Sequence, residues 1–229
     1  TSIKYNVFDK KKFTMNELLT SIKNNFEGSV ELRNTLLYIT PKYGNDDDYP
    51  DEITRQIFES YFRAVDGRPN TKAGHFRINL LPTTCHIYFG SVVGATPDGR
   101  KATEPLSEGI SPVQGADING PTAVIKSASK IDHLRTGGTL LNQKFTPMFL
   151  QTEDGINKLT QLIRAYFRMD GHHIQFNVVS AETLRDAQKH PGKYRDLIVR
   201  VAGYSDYFVD LIPELQDEII KRTEQLAIN

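Results

Sequence analysis

The sequence predicts a mixed α/β fold, and three observations point to it. Helical 3.6-residue patterning dominates the first 70 residues. Short apolar or alternating runs between turn signals fill the middle, from about Phe76 to Gly155. Helical and extended patterns then alternate toward the C-terminus. With 229 residues, 38% hydrophobic and 24% charged, the chain can bury a sizeable core.

In chain order, TMNELLTSIKNNFEG predicts a helix: Thr14 and Glu17 stand at capping-box spacing, Leu18, Ile22 and Phe26 recur on one face, and Gly28 stops it. A second helix follows YGNDDDYP. Pro50 suits its first turn, its apolar face runs Ile53, Ile57, Phe58, Tyr61, Phe62 and Val65, and Gly67 ends it. RINLL, CHIYFG and TAVIKS are expected as strands, separated by the turns TPDGR, NGP and TGG. Helical spacing returns over 156–169, where Ile156, Leu159, Leu162, Ile163, Tyr166 and Phe167 form one stripe. HHIQFNVV is a strand, SAETLRDAQKH a short helix capped by Ser180, and YRDLIVRVAG another extended run. Pro213 opens a last amphipathic helix with Leu215, Ile219 and Ile220. No repeat and no flexible linker divides the chain.

Lys plus Arg and Asp plus Glu balance at 28 each, which argues against nucleic acid or an acidic surface as partner. Cys85 is the single cysteine, so neither a disulfide framework nor a multi-cysteine zinc or iron–sulfur site is expected, and a reducing cytoplasmic setting fits. No apolar run approaches the roughly 20 residues of a membrane span, and the first residues lack the features of a secretory signal. The chain starts without methionine, directly in patterned sequence, as a piece of a longer protein would.

Several motifs carry a bland reading beside a chemical one. Asp46, Asp47 and Asp48 are consecutive, so their side chains diverge, and favourable charge at a helix start explains them better than a cation site. His172 and His173 face apart on a strand, and His86 and His133 have no companion at ligand spacing, so no metal site is expected. Cys85, beside His86 on an extended run, is expected as a small buried residue. TGGT at 136–139 matches no phosphate-binding fingerprint. Gly203 is different. In VRVAGYSDYF it ends an apolar run just before Tyr204, Tyr207 and Phe208. It is either turn punctuation or a reactive α-carbon: without a side chain, Cα can become planar, and a radical there is shared with the amide nitrogen on one side and the carbonyl on the other.

Arg200-Val201-Ala202-Gly203-Tyr204-Ser205 resembles the radical-site signature of the glycyl radical enzymes related to pyruvate formate-lyase. TPKYGNDDDY, LPTTCHIYFG, GATPDGR, NGPTAVIKS, TGGTLLNQ and MDGHHIQFNV are similar to the eliminase branch, which includes the glycerol, propanediol and trans-4-hydroxyproline dehydratases. The resemblance implies the C-terminal portion of a ten-stranded α/β barrel carrying the glycyl radical loop. Residues 1–105 would be the end of the barrel domain and 106–229 the glycine radical domain. It implies Gly203 as radical site, flanked by Arg200, Val201, Ala202, Tyr204 and Ser205. No cofactor would be bound. The radical is a post-translational modification installed by an S-adenosylmethionine-dependent iron–sulfur activating enzyme, and a homodimer is implied for the full enzyme.

In the family, that radical generates a thiyl on a cysteine in a Gly-Cys-Val-Glu-type motif, which is absent from these 229 residues. Cys85 does not inherit the role. The expected function is radical elimination of water from a small hydroxylated substrate, together with the remainder of the barrel. Thr83 is the expected polar substrate contact, with Phe89 and Val124 lining the same cavity. Thr83 is read equally as a strand-end residue bonded to backbone. Acyl transfer of the formate acetyltransferase type, a spare-part radical carrier for a damaged enzyme, and a remnant inactive alone are the alternatives.

Overall fold

The computed structural model describes residues 1–81 and 84–228. Helix α1 (Met15–Lys23) begins with the expected capping box: Glu17 N donates to Thr14 Oγ1 at 3.2 Å and Thr14 N to Glu17 Oε2 at 2.6 Å. Leu18, Phe26 and Leu36 bury together as a small core with the N-terminal segment. Two stretches the periodicity did not mark are also helical: a π-helical turn at Lys4–Asp9, and α2 (Val30–Asn34) continuing into a π-helical turn at Thr35–Ile39. Helix α3 (Asp48–Val65) is capped by Asp47, whose side chain accepts from Tyr49 N at 2.9 Å, with Pro50 in its first turn. The three aspartates thus serve as a helix start. Asp46 and Asp48 also pair with Lys130, at 3.4 and 2.8 Å.

Two expected strands are helices. CHIYFG forms most of α4 (Cys85–Val92) and TAVIKS lies in α5 (Pro121–Ala128). Both are short apolar runs, in which a period of 2 cannot be told from 3.6; TAVIKS is buried nearly all round, whereas Tyr88, Phe89 and Val92 of α4 are exposed. Pro121 at the first turn after Gly120 favours the helix. Gly90 lets α4 lie directly on the backbone at Glu104 and Pro105, and the Arg100 guanidinium satisfies carbonyls at Val93, Gly94 and Glu104. Cys85 is consequently exposed at the start of a helix rather than buried in a strand. RINLL adds only a single bridge, Leu80 to Thr139, beside the TGGT turn. There the Gly137 amide donates to Ile78 O, the Gly138 carbonyl accepts from Leu80 N and the Gly138 amide donates to Thr136 Oγ1, so the turn is built into the fold instead of open to an anion.

Strand β1 (Leu141–Phe145) is the centre of a three-stranded parallel sheet, buried along its whole length. It pairs in register with β2 (Ile174–Val178), from Leu141↔Ile174 to Phe145↔Val178. Its other edge takes the short β5 (Glu224–Gln225). Helix α6 (Glu153–Arg168) makes the crossover from β1 to β2 and packs Leu162 and Tyr166 on the core with Val124, Ile125, Leu141 and Phe145. Its expected stripe is buried only in part: Ile156 and Phe167 are half exposed, as are Ile57 and Tyr61 of α3. Gly171 returns the chain to β2, and a Cβ there would stand 2.5 Å from the buried Tyr166 ring.

Helix α7 (Ala181–Lys189), capped by Ser180 as expected, and α8 (Pro213–Lys221) build a second core with Leu140, Val199, Val201 and Phe208. The extended run before Gly203 becomes β3 (Ile198–Arg200), which forms an antiparallel hairpin with β4 (Ser205–Tyr207). The described residues therefore form a mixed α/β unit with a parallel sheet; they do not close a barrel by themselves.

Candidate radical-loop site

Gly203 lies in the four-residue turn of the β3–β4 hairpin, where Arg200↔Ser205 is the last pair. Val201 N donates to Tyr204 O at 2.9 Å to close the turn. Val201 and Ala202 are buried in the second core, and the chain then emerges: Gly203 through Tyr207 are exposed. Gly203 has φ +82°, the left-handed region that side chains disfavour. A Cβ built on it meets nothing within 4 Å. The glycine is required by its backbone conformation and not by crowding.

The hairpin hangs on side chains of β2. Gln175 and Asn177, two residues apart, share one face of that strand. Asn177 grips the backbone of Arg200 at both ends, its Oδ1 accepting from Arg200 N and its Nδ2 donating to Arg200 O, each at 2.7 Å. Gln175 does the same one step nearer the tip. Its Oε1 accepts from Gly203 N at 3.1 Å, and its Nε2 donates to Val201 O at 3.3 Å and to Asn142 Oδ1. A carboxamide carries the donor and acceptor of a peptide group, so these two residues stand in for an absent strand. The Arg200 guanidinium reaches across the hairpin to Ser205 Oγ at 3.1 Å.

Beneath the hairpin lies a buried charged cluster. Arg222 Nη1 donates to Arg200 O at 3.3 Å while its Nη2 pairs with Glu218 Oε2 at 2.8 Å; both side chains are buried. Glu218 also accepts from Gln114 Nε2 at 2.9 Å, and His86 Nε2 lies 3.7 Å from it. Burial alone would raise the Glu218 pKa, but Arg222 and His86 outweigh it and hold it at about 2. Glu108, against Ser111 and Asn142, goes the other way: burial raises it to about 6, with Arg222 too weak a counterweight. Lys144 of β1 anchors α8, its Nζ donating to Ile220 O at 2.9 Å, and burial lowers its pKa to about 8.

Of the other candidate residues, Thr83 lies outside the described residues. Val124 is inside the first core, whereas Phe89 is 51% exposed on α4, so this chain alone places the two in different surroundings. Helix α4 does come beside the loop: Thr84, Ile87, Tyr88 and Ser91 line, with Tyr204, Leu211 and Leu215, an open hollow of about 610 Å³. His133 is a satisfied core histidine, its ring nitrogens 2.9 Å from Thr139 Oγ1 and Ala128 O. Among the described residues no group of three or more His, Cys, Asp or Glu is arranged to hold a metal ion, and no helix is long and apolar enough to cross a membrane.

Sequence reading missed Gln175, Asn177, Asn142, Glu218 and Arg222. The signals were present: two carboxamides alternate with Ile174, Phe176 and Val178, and Glu218 and Arg222 stand at helical i, i+4 spacing.

A family model described as glycine radical matches residues 106–209, and one described as pyruvate formate lyase-like matches residues 1–90. The chain belongs to the glycyl radical enzymes and corresponds to their C-terminal part. It is 60% identical over 225 residues to trans-4-hydroxy-L-proline dehydratase of Clostridioides difficile, covering 98% of this chain and 28% of that protein. It is 47% identical to isethionate sulfite-lyase of Nitratidesulfovibrio vulgaris, covering 97% and 27%. The crystal structure of the Clostridioides difficile hydroxyproline dehydratase with substrate bound superposes with a TM-score of 0.96, covering 99% of this chain and 29% of that one. The glycerol-bound B12-independent dehydratase of Clostridium butyricum gives a TM-score of 0.93 at 46% identity, covering 98% and 29%. The chain thus spans less than a third of the length of these relatives.

Proposed function

We propose that this chain is the radical-bearing portion of a glycyl radical dehydratase, with Gly203 as the storage site. The observation that carries this is the exposed, left-handed, uncrowded glycine at the hairpin tip, inside the matched glycine radical region. In this reading an activating enzyme's carbon radical takes a hydrogen atom from Gly203 Cα. A cysteine thiol on the remainder of the barrel later returns a hydrogen atom to Cα and becomes a thiyl. The thiyl removes a hydrogen atom from the substrate, the substrate radical loses a proton and expels its hydroxyl, completing the loss of water, and the thiol then gives its hydrogen back to the product radical.

Identity favours trans-4-hydroxyproline as substrate, at 60% against 46% for the glycerol enzyme. Residues 1–105 would complete the barrel wall, with Thr83, Phe89 and Val124 at the substrate cavity of the assembled enzyme, and 106–229 would form the radical domain. Exposed apolar side chains, among them Tyr88 and Val92 on α4, suit packing against the missing barrel elements.

The test is electron paramagnetic resonance of the anaerobic chain primed by its activating enzyme. A doublet that collapses when glycine is α-deuterated is expected, and its absence rejects the reading. Dehydration of hydroxyproline should appear only when the cysteine-bearing part is supplied, so turnover by this chain alone would also reject it.

A further inference from the structure

A Cβ built on Gly203 meets nothing within 4 Å, so no described residue beyond its chain neighbours crowds that side of the glycine. The restraint comes from its own two peptide groups, and they are held unequally. The 202–203 group is fastened, because Gly203 N–H points into Gln175 Oε1. Among the described residues, the 203–204 group has no hydrogen bond at either Gly203 O or Tyr204 N.

Gln175 is itself buried and bonded on both sides of its carboxamide. It is 5% exposed and lies directly across from Asn142 in the sheet register, and its Nε2 is shared between Asn142 Oδ1 and Val201 O. Gly203 N–H can only donate, which fixes the orientation of the carboxamide and, through it, that of Asn142.

We propose that Gln175 is a positioning residue for the radical centre: it locks the nitrogen-side peptide plane of Gly203, while no described residue bonds the carbon-side plane. This rests on Gly203 being the radical site. An unpaired electron at Cα spreads over both flanking peptide groups only when the two planes are coplanar, and at φ +82° they are far from it. With the 202–203 plane held by Gln175, the 203–204 group makes the rotation. The nitrogen side keeps its register while the bond from N–H to Gln175 strengthens electron donation from nitrogen. Asn177 holds Arg200 in the same manner but touches neither plane, so it steadies the hairpin without positioning Cα.

The first measurement needs no radical: amide hydrogen exchange at Gly203 in the 229-residue chain labelled with 15N-glycine. Gln175→Asn, one methylene too short to reach, should speed Gly203 exchange roughly fivefold, as expected for a hydrogen bond worth on the order of 1 kcal/mol. Asn177→Ala should change it less than about twofold. Equal effects of the two variants, or none from Gln175→Asn, overturn the proposal. Should Gln175→Asn fail to fold, Gln175→Met, of similar length but with no strong acceptor for Gly203 N–H, provides the comparison. Gly203 exchange should quicken in it as well, and unchanged exchange overturns the proposal.

The second measurement is the paramagnetic signal of the primed chain. The exchangeable amide-proton coupling should change in Gln175→Asn and not in Asn177→Ala; an unchanged coupling in Gln175→Asn overturns the positioning role. Absence of any signal in the unsubstituted chain would instead reject Gly203 as the radical site, a separate failure from the exchange result.

Discussion

Gly203→Ala separates the chemistry of this glycine from its conformation. An L-residue at φ +82° costs about 1–2 kcal/mol. The methyl itself meets nothing within 4 Å, so no packing cost is added. Alanine also restricts the unfolded chain, which offsets about 0.4–1 kcal/mol. The net loss should be at most about 1.6 kcal/mol, no more than a few degrees of melting temperature for a chain of this size. Gly28 supplies an internal standard: φ +70°, and likewise nothing within 4 Å. Gly28→Ala should cost the same. Gly171→Ala should cost more, about 1–3 kcal/mol, because its Cβ would press on the buried Tyr166 ring. Urea denaturation followed by circular dichroism ranks the three. If Gly203→Ala cost more than Gly171→Ala, the hairpin tip would be packed and the argument would be wrong. The folded variant should also give no radical doublet after priming.

Glu108→Gln should flatten part of the pH profile of stability. The carboxyl binds its proton more tightly folded than unfolded, so it contributes stability below about pH 4.5 that is lost as pH rises through about 6. The contribution is on the order of 2 kcal/mol, and Asp117, also raised to about 6 by burial, adds in the same direction. Thermal melts of both forms from pH 4.5 to 7 check this. Arg222→Met leaves Glu218 as an unpaired buried charge and should cost about 3–5 kcal/mol at neutral pH by urea titration. Glu218 in the unsubstituted chain has the opposite sign to Glu108: its stabilisation is present above about pH 4.5 and disappears as pH falls toward 2. That acid limb should vanish with Arg222. Air admitted to the primed chain should add oxygen at the Gly203 α-carbon and break a backbone bond to that atom, giving two pieces that meet at residue 203 with oxidised Gly203 carbon at the break, which mass spectrometry resolves.

Most helices were legible because their ends carry chemistry as well as periodicity. Thr14 with Glu17, Thr152 on Gly155 and Ser180 on Thr183 are all side-chain caps. Where hydrophobicity alone was read, as in CHIYFG and TAVIKS, strand and helix were indistinguishable; contacts through Arg100 and at Gly90 hold the first as a helix, and Pro121 in the first turn favours the second. The hairpin around Gly203 was read as extended on its first arm only, since β4 is short, polar and exposed. Gly203 itself stood out by its neighbours in sequence. Its fastening did not, because Asn142 and Gln175 come from separate strands and Arg222 from the far end of α8, distances along the chain that no local pattern spans.

The segment after the hairpin tip carries Phe208, Leu211, Leu215 and Ile219 of the second core, Arg222 under Arg200, and the strand that completes the sheet beside β1. A nick at Gly203 therefore cuts the molecule into two interlocked parts instead of shedding a tail. Covalent continuity is lost at once, yet the short piece stays seated by what it buries. A molecule nicked at Gly203 would keep its outline and its size on a column.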